Sequence, residues 1–248
     1  MTIVLQPAFV LHRRPYRETS FIVELFTPDY GRIAAVARGI RKTRSRTAAW
    51  LQPFVPLFVS CYGKGELLTL NQIEANGFLH VLTGKNLRCG FYLNELLMRL
   101  LPKHDPHASL FTIYRQTLAE LQSATFAEAA EIVCEKVLRV FEKKLLVELG
   151  YGLPLKSELK FKNEEYYYFN AEKGFLPCAV GDAKSDRPGQ PAVFSGQALN
   201  ALITENFEDR RILQEIKYLM RFILGSLLEH PLQSRRLFEY PLEVEEHV

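Results

Sequence analysis

Ser20-Phe21-Ile22-Val23-Glu24-Leu25-Phe26-Thr27-Pro28-Asp29-Tyr30-Gly31-Arg32-Ile33-Ala34-Ala35-Val36-Ala37-Arg38 decides how the N-terminal third of this chain is read. β-Branched and aromatic residues crowd Ser20 to Phe26, and a second apolar run extends from Arg32 to Arg38 and closes at Gly39. Between them Thr27 to Gly31 carries the Pro, Asp and Gly of a turn, so the stretch predicts two neighbouring strands. Upstream, Ala8 to Leu11 reads as another strand. Downstream, Phe54 to Tyr62 and Glu66 to Ile73 predict a hairpin around Gly63-Lys64-Gly65, where glycine tolerates positive φ. Phe78 to Leu82 is a further short extended piece. Ile40 to Ala49 is too polar to bury and reads as a loop. Five strands and one long polar loop within about 80 residues predict a small closed barrel, with the five-stranded oligonucleotide-binding form ahead of an SH3-like one.

The periodicity changes at Thr83. Leu87, Phe91, Leu93, Leu96, Leu97 and Leu100 recur near the helical period up to Pro102. Further helices fit Leu110 to Leu121 and Phe126 to Leu149, the latter stopped by Gly150 and Gly152. From Leu153 to Val193 the period is lost, and a small hairpin pairs Glu164–Phe169 with Gly174–Leu176 across Asn170 to Lys173. Gly181 to Pro191 is a loop, Ser195 caps a short helix through Ile203, and Arg210 to Glu229 forms the last long helix. The fold class is α+β: a barrel over 1–82, then a mainly helical domain over 83–248 with an irregular insert at about 153–193.

The 248 residues are 48% hydrophobic and 24% charged, which excludes a disordered or collagen-like chain. No apolar run reaches the roughly 18–20 residues of a membrane-spanning helix, and Met1 to Pro7 lacks the charged leader and cleavage site of a secretory signal. A cytoplasmic, nucleoid-associated protein is expected. The four cysteines, Cys61, Cys89, Cys134 and Cys178, form no Cys-x2–4-Cys knuckle, so reduced and mostly buried thiols are expected, with no metal and no other cofactor.

The net charge of +3 conceals an asymmetry. Residues 1–80 hold ten basic and five acidic side chains, whereas the other 168 residues are slightly acidic. Tyr30 to Gly65 carries seven Lys or Arg and no Asp or Glu. Such a run repels itself unless a polyanion neutralises it, and its preference for Arg over Lys suits the planar fork that phosphate oxygens accept. The DNA-binding candidates are Arg13, Arg14, Arg17, Arg32, Arg38, Arg41, Lys42, Arg44, Arg46 and Lys64. Tyr16 and Trp50 are the rings on which bases could stack. Trp50 also reads as a core or interdomain anchor, and Phe9, Phe21, Phe26, Phe54 and Phe58 read as core.

No catalytic motif is found. Gly84-Lys85-Asn86 lacks the hydroxyl and the earlier glycine of a phosphate-binding loop, and no Gly-x-Ser-x-Gly or His-Glu-x-x-His occurs. His104-Asp105-Pro106-His107 has no third clustered ligand. Glu128, Glu131, Glu135 and Glu142 alternate with Lys136, Lys143 and Lys144 as a solvated helical face would. A non-enzymatic protein is expected.

Val10 to Ser20, Phe26-Thr27 to Gly31-Arg32, Val36 to Lys42, Leu51-Gln52-Pro53-Phe54 and Gly63 to Leu67 resemble the N-terminal blocks of the RecO family of bacterial recombination mediators. Tyr92 to Leu96, Leu138 to Glu142, Leu149-Gly150-Tyr151-Gly152 and Ser234 to Phe238 resemble its helical half. The resemblance implies a barrel that binds single- and double-stranded DNA and anneals complementary strands. It also implies contact with the acidic C-terminal tail of single-stranded DNA-binding protein, and action with RecR to load RecA on gapped DNA. Arg139 matches the position expected to clamp the tail's terminal carboxylate, with Leu138 and Phe141 beside it; an ion pair with Glu135 or Glu142 is the alternative. Some members hold zinc in the insert, and the single Cys178 there implies a zinc-free variant. An RNA-binding translation or processing factor on a similar barrel is the rival reading, and a nuclease with an unusual site is a third.

Overall fold

A computed structural model describes residues 1–40, 46–77, 80–124, 130–151, 161–170, 173–178 and 192–238, with the backbone alone at 46, 47 and 130. The chain divides into two compact units, Met1–Ala130 together with the segment from Leu232, and Glu131–Pro231.

In the first unit, β1 (Thr2–Tyr16), β2 (Ser20–Thr27), β3 (Gly31–Ala37), β4 (Pro56–Tyr62) and β5 (Leu67–Ala75) close into a barrel of order β1-β2-β3-β5-β4. All pairs are antiparallel except β3 with β5, which run parallel from Ala34 opposite Leu67 to Ala37 opposite Leu70. This is the strand order of an oligonucleotide-binding barrel. β1 is far longer than the expected Ala8–Leu11. Its first half pairs with β4 and its second with β2, and the register slips between Ile3 and Gln6 and again between Val10 and His12. Such bulges bend a strand and raise its twist, so one strand can serve both sides of a closed sheet and carry Pro7 within it.

The expected loop at Ile40–Ala49 requires a correction in its described part, because Arg46–Trp50 forms a short helix, α1. Trp50 and Leu51 supply the apolar residues of a plug: Leu51 is fully buried and Trp50 packs against the barrel core, while Ala49 is exposed. The extended piece expected from Phe78 is also corrected, since His80 to Leu82 form no strand; Phe78 and Leu79 lie outside the described residues.

Inside the barrel Ile3, Val10, Val23, Leu25, Ile33, Leu57, Val59 and Leu68 make the core. Phe9 and Phe26 are buried too, but on the outer face, where α2 (Gly84–Leu100) and α3 (Ala108–Ala124) belong to the same unit. Phe9 lies 5.5 Å and 5.2 Å from the rings of Phe111 and Tyr114 of α3. Asn94 of α2 donates to the Leu11 carbonyl at 2.9 Å and accepts from the Tyr114 hydroxyl at 2.6 Å. Glu95 accepts the amides of Gln233 and Ser234, which opens a 3-10 turn over Gln233–Phe238 and ties the returning chain to α2.

The second unit contains α4 (Ala130–Glu148, from Glu131 onward), a three-stranded antiparallel sheet, α5 (Gly196–Thr204) and α6 (Arg210–Leu227). The sheet places β6 (Tyr166–Asn170) between β7 (Gly174–Cys178) and β8 (Val193–Ser195); the first pair is the hairpin read from sequence, while β8 is a strand too short to show a pattern. Ser195 caps α5 by accepting from the Ala198 amide at 3.1 Å.

Candidate nucleic-acid interface

The site follows from which part of the barrel's outer face the helices leave open. Alternation along β1 places His12, Arg14 and Tyr16 outward, and the pairing carries this face across Arg14 opposite Ile22, Ile22 opposite Val36, and Val36 opposite Thr69. On this part of the face lies an open groove of about 830 Å³, lined by Tyr16 to Ser20, by Val36 and Arg38, and by Leu67 to Thr69. Arg14, Arg17 and Arg38 are exposed. Arg17 occupies the left-handed region of the β1–β2 turn, at φ 51°, and its guanidinium stands 5.2 Å from the centre of the Tyr16 ring. Leu67 is exposed at the groove's other wall. Glu18 also lines it, so the local charge is positive but not uniformly so.

Lys64 is exposed in the β4–β5 turn, three residues before Leu67. Gly63 beside it exchanges backbone hydrogen bonds with Met1, which fixes the base of that turn.

Other candidates have internal tasks. Arg13 projects to the opposite face of β1, where it covers Phe21 at 5.2 Å and donates to the Ala48 carbonyl and to Gln52 at the plugged mouth. Arg32 donates to the Leu101 carbonyl at 3.1 Å and pairs with Glu24 at 3.3 Å, so its guanidinium ties β3 to the end of α2 instead of facing a phosphate. Trp50 is half-buried against the barrel core, an anchor for α1 and not an open platform. Arg41, Lys42 and Arg44 lie outside the described residues, as does the Arg46 side chain. Thr19, Ser20, Val36, Leu67 and Thr69 were missed by sequence reasoning; the antiparallel β2–β3 pairing sets Thr19 and Ser20 near Val36, and the parallel β3–β5 pairing, which no local signal announces, adds Leu67 and Thr69.

The residues of the expected tail clamp are buried. Arg139 is 5% exposed, and its Nη2 donates to Glu142 at 2.6 Å while Nη1 reaches the Lys217 carbonyl. Leu138 and Phe141 are buried as well. The ion-pair alternative is the geometry present: Glu142, three residues along the same helix, supplies the counter-charge inside the second unit. Arg139, Leu138 and Phe141 therefore offer no open surface to a carboxylate in this conformation.

Cys61, Cys89 and Cys134 are buried and outside any disulfide, and Cys178 is half-buried; burial pushes the Cys61 thiol up to about 12, far from a reactive thiolate. Among the described residues no group of three His, Cys, Asp or Glu side chains could hold a metal ion, and no helix is long and apolar enough to cross a membrane. His107 stands 3.2 Å from Asp105 and the His104 amide donates to the Arg32 carbonyl, so that loop is fastened locally to the barrel.

Two family models match the chain, Recombination protein O N terminal over residues 1–78 and Recombination protein O C terminal over residues 82–236. The DNA repair protein RecO of Coxiella burnetii (strain RSA 331 / Henzerling II) is 46% identical over 240 residues, covering 95% of this chain and 97% of that protein. The protein of the same name from Nitrosococcus oceani is 44% identical over 244 residues, covering 96% and 94%. That of Dechloromonas aromatica is 42% identical over 238 residues, covering 94% of each.

Proposed function

The chain belongs to the RecO family of DNA repair proteins, with a role in recombination repair, and on that premise we propose that it is a non-enzymatic mediator that binds single- and double-stranded DNA through the barrel groove and anneals complementary strands. The observation that carries this reading is the groove itself. It joins Arg17 and Arg38 to the Tyr16 ring beside Arg14, on a solvent-open part of the barrel's outer face. Guanidinium groups would neutralise phosphates without reading sequence, and the Tyr16 ring would offer a stacking surface to a base. Annealing requires such loose contacts, because cations must screen two strands from each other and then release the duplex.

The finer part of the proposal concerns partners: the acidic tail of single-stranded DNA-binding protein would deliver coated strands, and RecR would act with this chain to load RecA on gaps. Family membership supports it, and Arg139 with Leu138 and Phe141 would hold the tail only where the guanidinium exchanges Glu142 for the tail's carboxylate. Strand annealing measured with bare DNA, with DNA coated by intact single-stranded DNA-binding protein, and with DNA coated by the tail-less form tests both parts. The expected result is annealing in the first two cases and loss in the third. Failure to anneal bare strands in a folded sample would refute the DNA reading, while equal annealing with the tail-less coat would refute only the tail contact. RNA binding in preference to a DNA oligonucleotide of the same sequence would favour the rival reading, since the 2′-hydroxyl is the handle that separates them.

A further inference from the structure

On the second unit, α6 presents an outward face whose composition the packing of that unit does not require. Its buried side is Leu213, Ile216, Leu219, Met220, Ile223 and Leu224. The outward side runs through Arg211, Gln214, Tyr218, Arg221, Phe222 and Gly225, spaced at three and four residues. Tyr218 is 56% exposed and Phe222 is 38% exposed, and both rings rest on the buried Phe194, at 6.0 Å and 6.3 Å between centres. The two rings are thus held from beneath and open above.

Charge on this helix is one-sided. Glu215, its single acid, is occupied by the Ser195 amide and hydroxyl, and Lys217 pairs with Glu135. The guanidinium groups of Arg211 and Arg221, flanking the rings, have no ion pair or hydrogen bond among the described residues. Gly225 is the third feature. A glycine in a helix interior costs about 0.5–1 kcal/mol relative to alanine, and nothing lies within 4 Å of where its Cβ would be, so no neighbour in the fold demands it. The missing side chain leaves space one turn beyond Phe222.

Supported rings, unpaired guanidinium groups and cleared backbone together match a ligand with flat faces and a negative spine. We infer that the outer face of α6 is a second binding surface for single-stranded nucleic acid, separate from the barrel groove, with unpaired bases stacking on Tyr218 and Phe222 and phosphates meeting Arg211 and Arg221. The inference rests on the reading of the protein as a DNA binder and extends it. One chain would then hold two strands, which is what pairing them requires. An acidic peptide shares the charge but does not need two adjacent open rings and a glycine, so the nucleic acid is favoured.

The test counts short oligonucleotides per chain. A labelled deoxythymidine oligomer of about 8 nucleotides, short enough for one site of this class, is titrated at low salt into the full-length protein. The wild type is expected to take two equivalents. Tyr218→Ala with Phe222→Ala should take one, with affinity at the lost site reduced about 10- to 100-fold, and the barrel variant Arg14→Gln, Arg17→Gln, Arg38→Gln should take the other one. Gly225→Ala separates binding from folding: it should raise the melting temperature and still weaken the α6 site. Two equivalents retained by the α6 variant, or unchanged binding in Gly225→Ala, would overturn the inference. A wild type that takes one equivalent, lost only in the barrel variant, would overturn it while leaving the groove reading intact; one lost only in the α6 variant would uphold it and refute the groove. Loss of acidic-peptide binding with both oligonucleotide equivalents kept would reassign the face to a protein partner.

Discussion

Replacing Arg14, Arg17 and Arg38 by glutamine removes three exposed positive charges from the groove and its margin without touching the barrel core. For single strands each neutralised phosphate contributes about 0.7 to the slope of log affinity against log salt, so the variant's slope should be shallower by about 2. If the intact protein makes about six such contacts, its affinity should drop by about 300-fold between 50 and 200 mM salt, and that of the variant by about 20-fold. Fluorescence anisotropy of a labelled oligonucleotide at five or six salt concentrations reads both slopes. Arg32→Gln is the control. Its guanidinium is bound to the Leu101 carbonyl and Glu24, so this change should lower stability by about 1–3 kcal/mol and leave the slope alone. A triple variant that melts normally and keeps the original slope would refute the placement of phosphates in the groove. A shallower slope in Arg32→Gln would show that the guanidinium leaves its partners to reach the ligand.

Three further outcomes follow from the packing. Tyr114→Phe removes the 2.6 Å donor to the Asn94 side chain in a fully buried position and should cost about 1–3 kcal/mol in urea unfolding. Burial opposes ionisation of Glu95, yet its contacts to Ser234, the Gln233 amide and nearby Arg99 outweigh that and hold the carboxyl below its ordinary value. Its contribution is therefore complete above the unfolded range near pH 4.3 and is lost as pH falls through the lower folded value, so the destabilisation measured for Glu95→Gln should shrink toward zero as unfolding is repeated at decreasing pH. Arg139→Ala would remove the guanidinium paired with the buried Glu142 and should cost about 3–5 kcal/mol, visible as a lowered melting temperature before any loss of partner binding is interpreted.

Much of the barrel is legible in the chain because two of its signals are local. The Ser20–Phe26 and Arg32–Arg38 runs carry their own turn at Thr27 to Gly31, and their observed pairing, Thr27 opposite Gly31 through Phe21 opposite Ala37, follows from it. Gly31 has a non-local reason as well: a Cβ there would stand 1.9 Å from the Asp105 carbonyl, at a φ of +61°. β1 was underestimated because strand propensity treats Pro7, Arg13, Arg14 and Pro15 as interruptions, whereas bulges and two different partners sustain the strand through them. The α1 plug was hidden because the charges before it dominate the composition, and what makes Leu51 and Trp50 bury is a barrel mouth that exists only after closure.

The site was legible as a charge density and illegible as a surface, for one physical reason. A run of arginines fixes how much positive charge a region carries, but each guanidinium goes to whichever acceptor the fold sets within its reach. Arg32 meets the end of α2 and Arg13 meets the plug, while Arg17 and Arg38 meet solvent across a groove that two strands distant in sequence, β3 and β5, create by pairing in parallel. The same competition pairs Arg139 with Glu142, three residues along its own helix. Exposed cations that face solvent, Arg38 on the barrel and Arg211 and Arg221 on α6, are therefore the ones on which an external polyanion has the strongest claim.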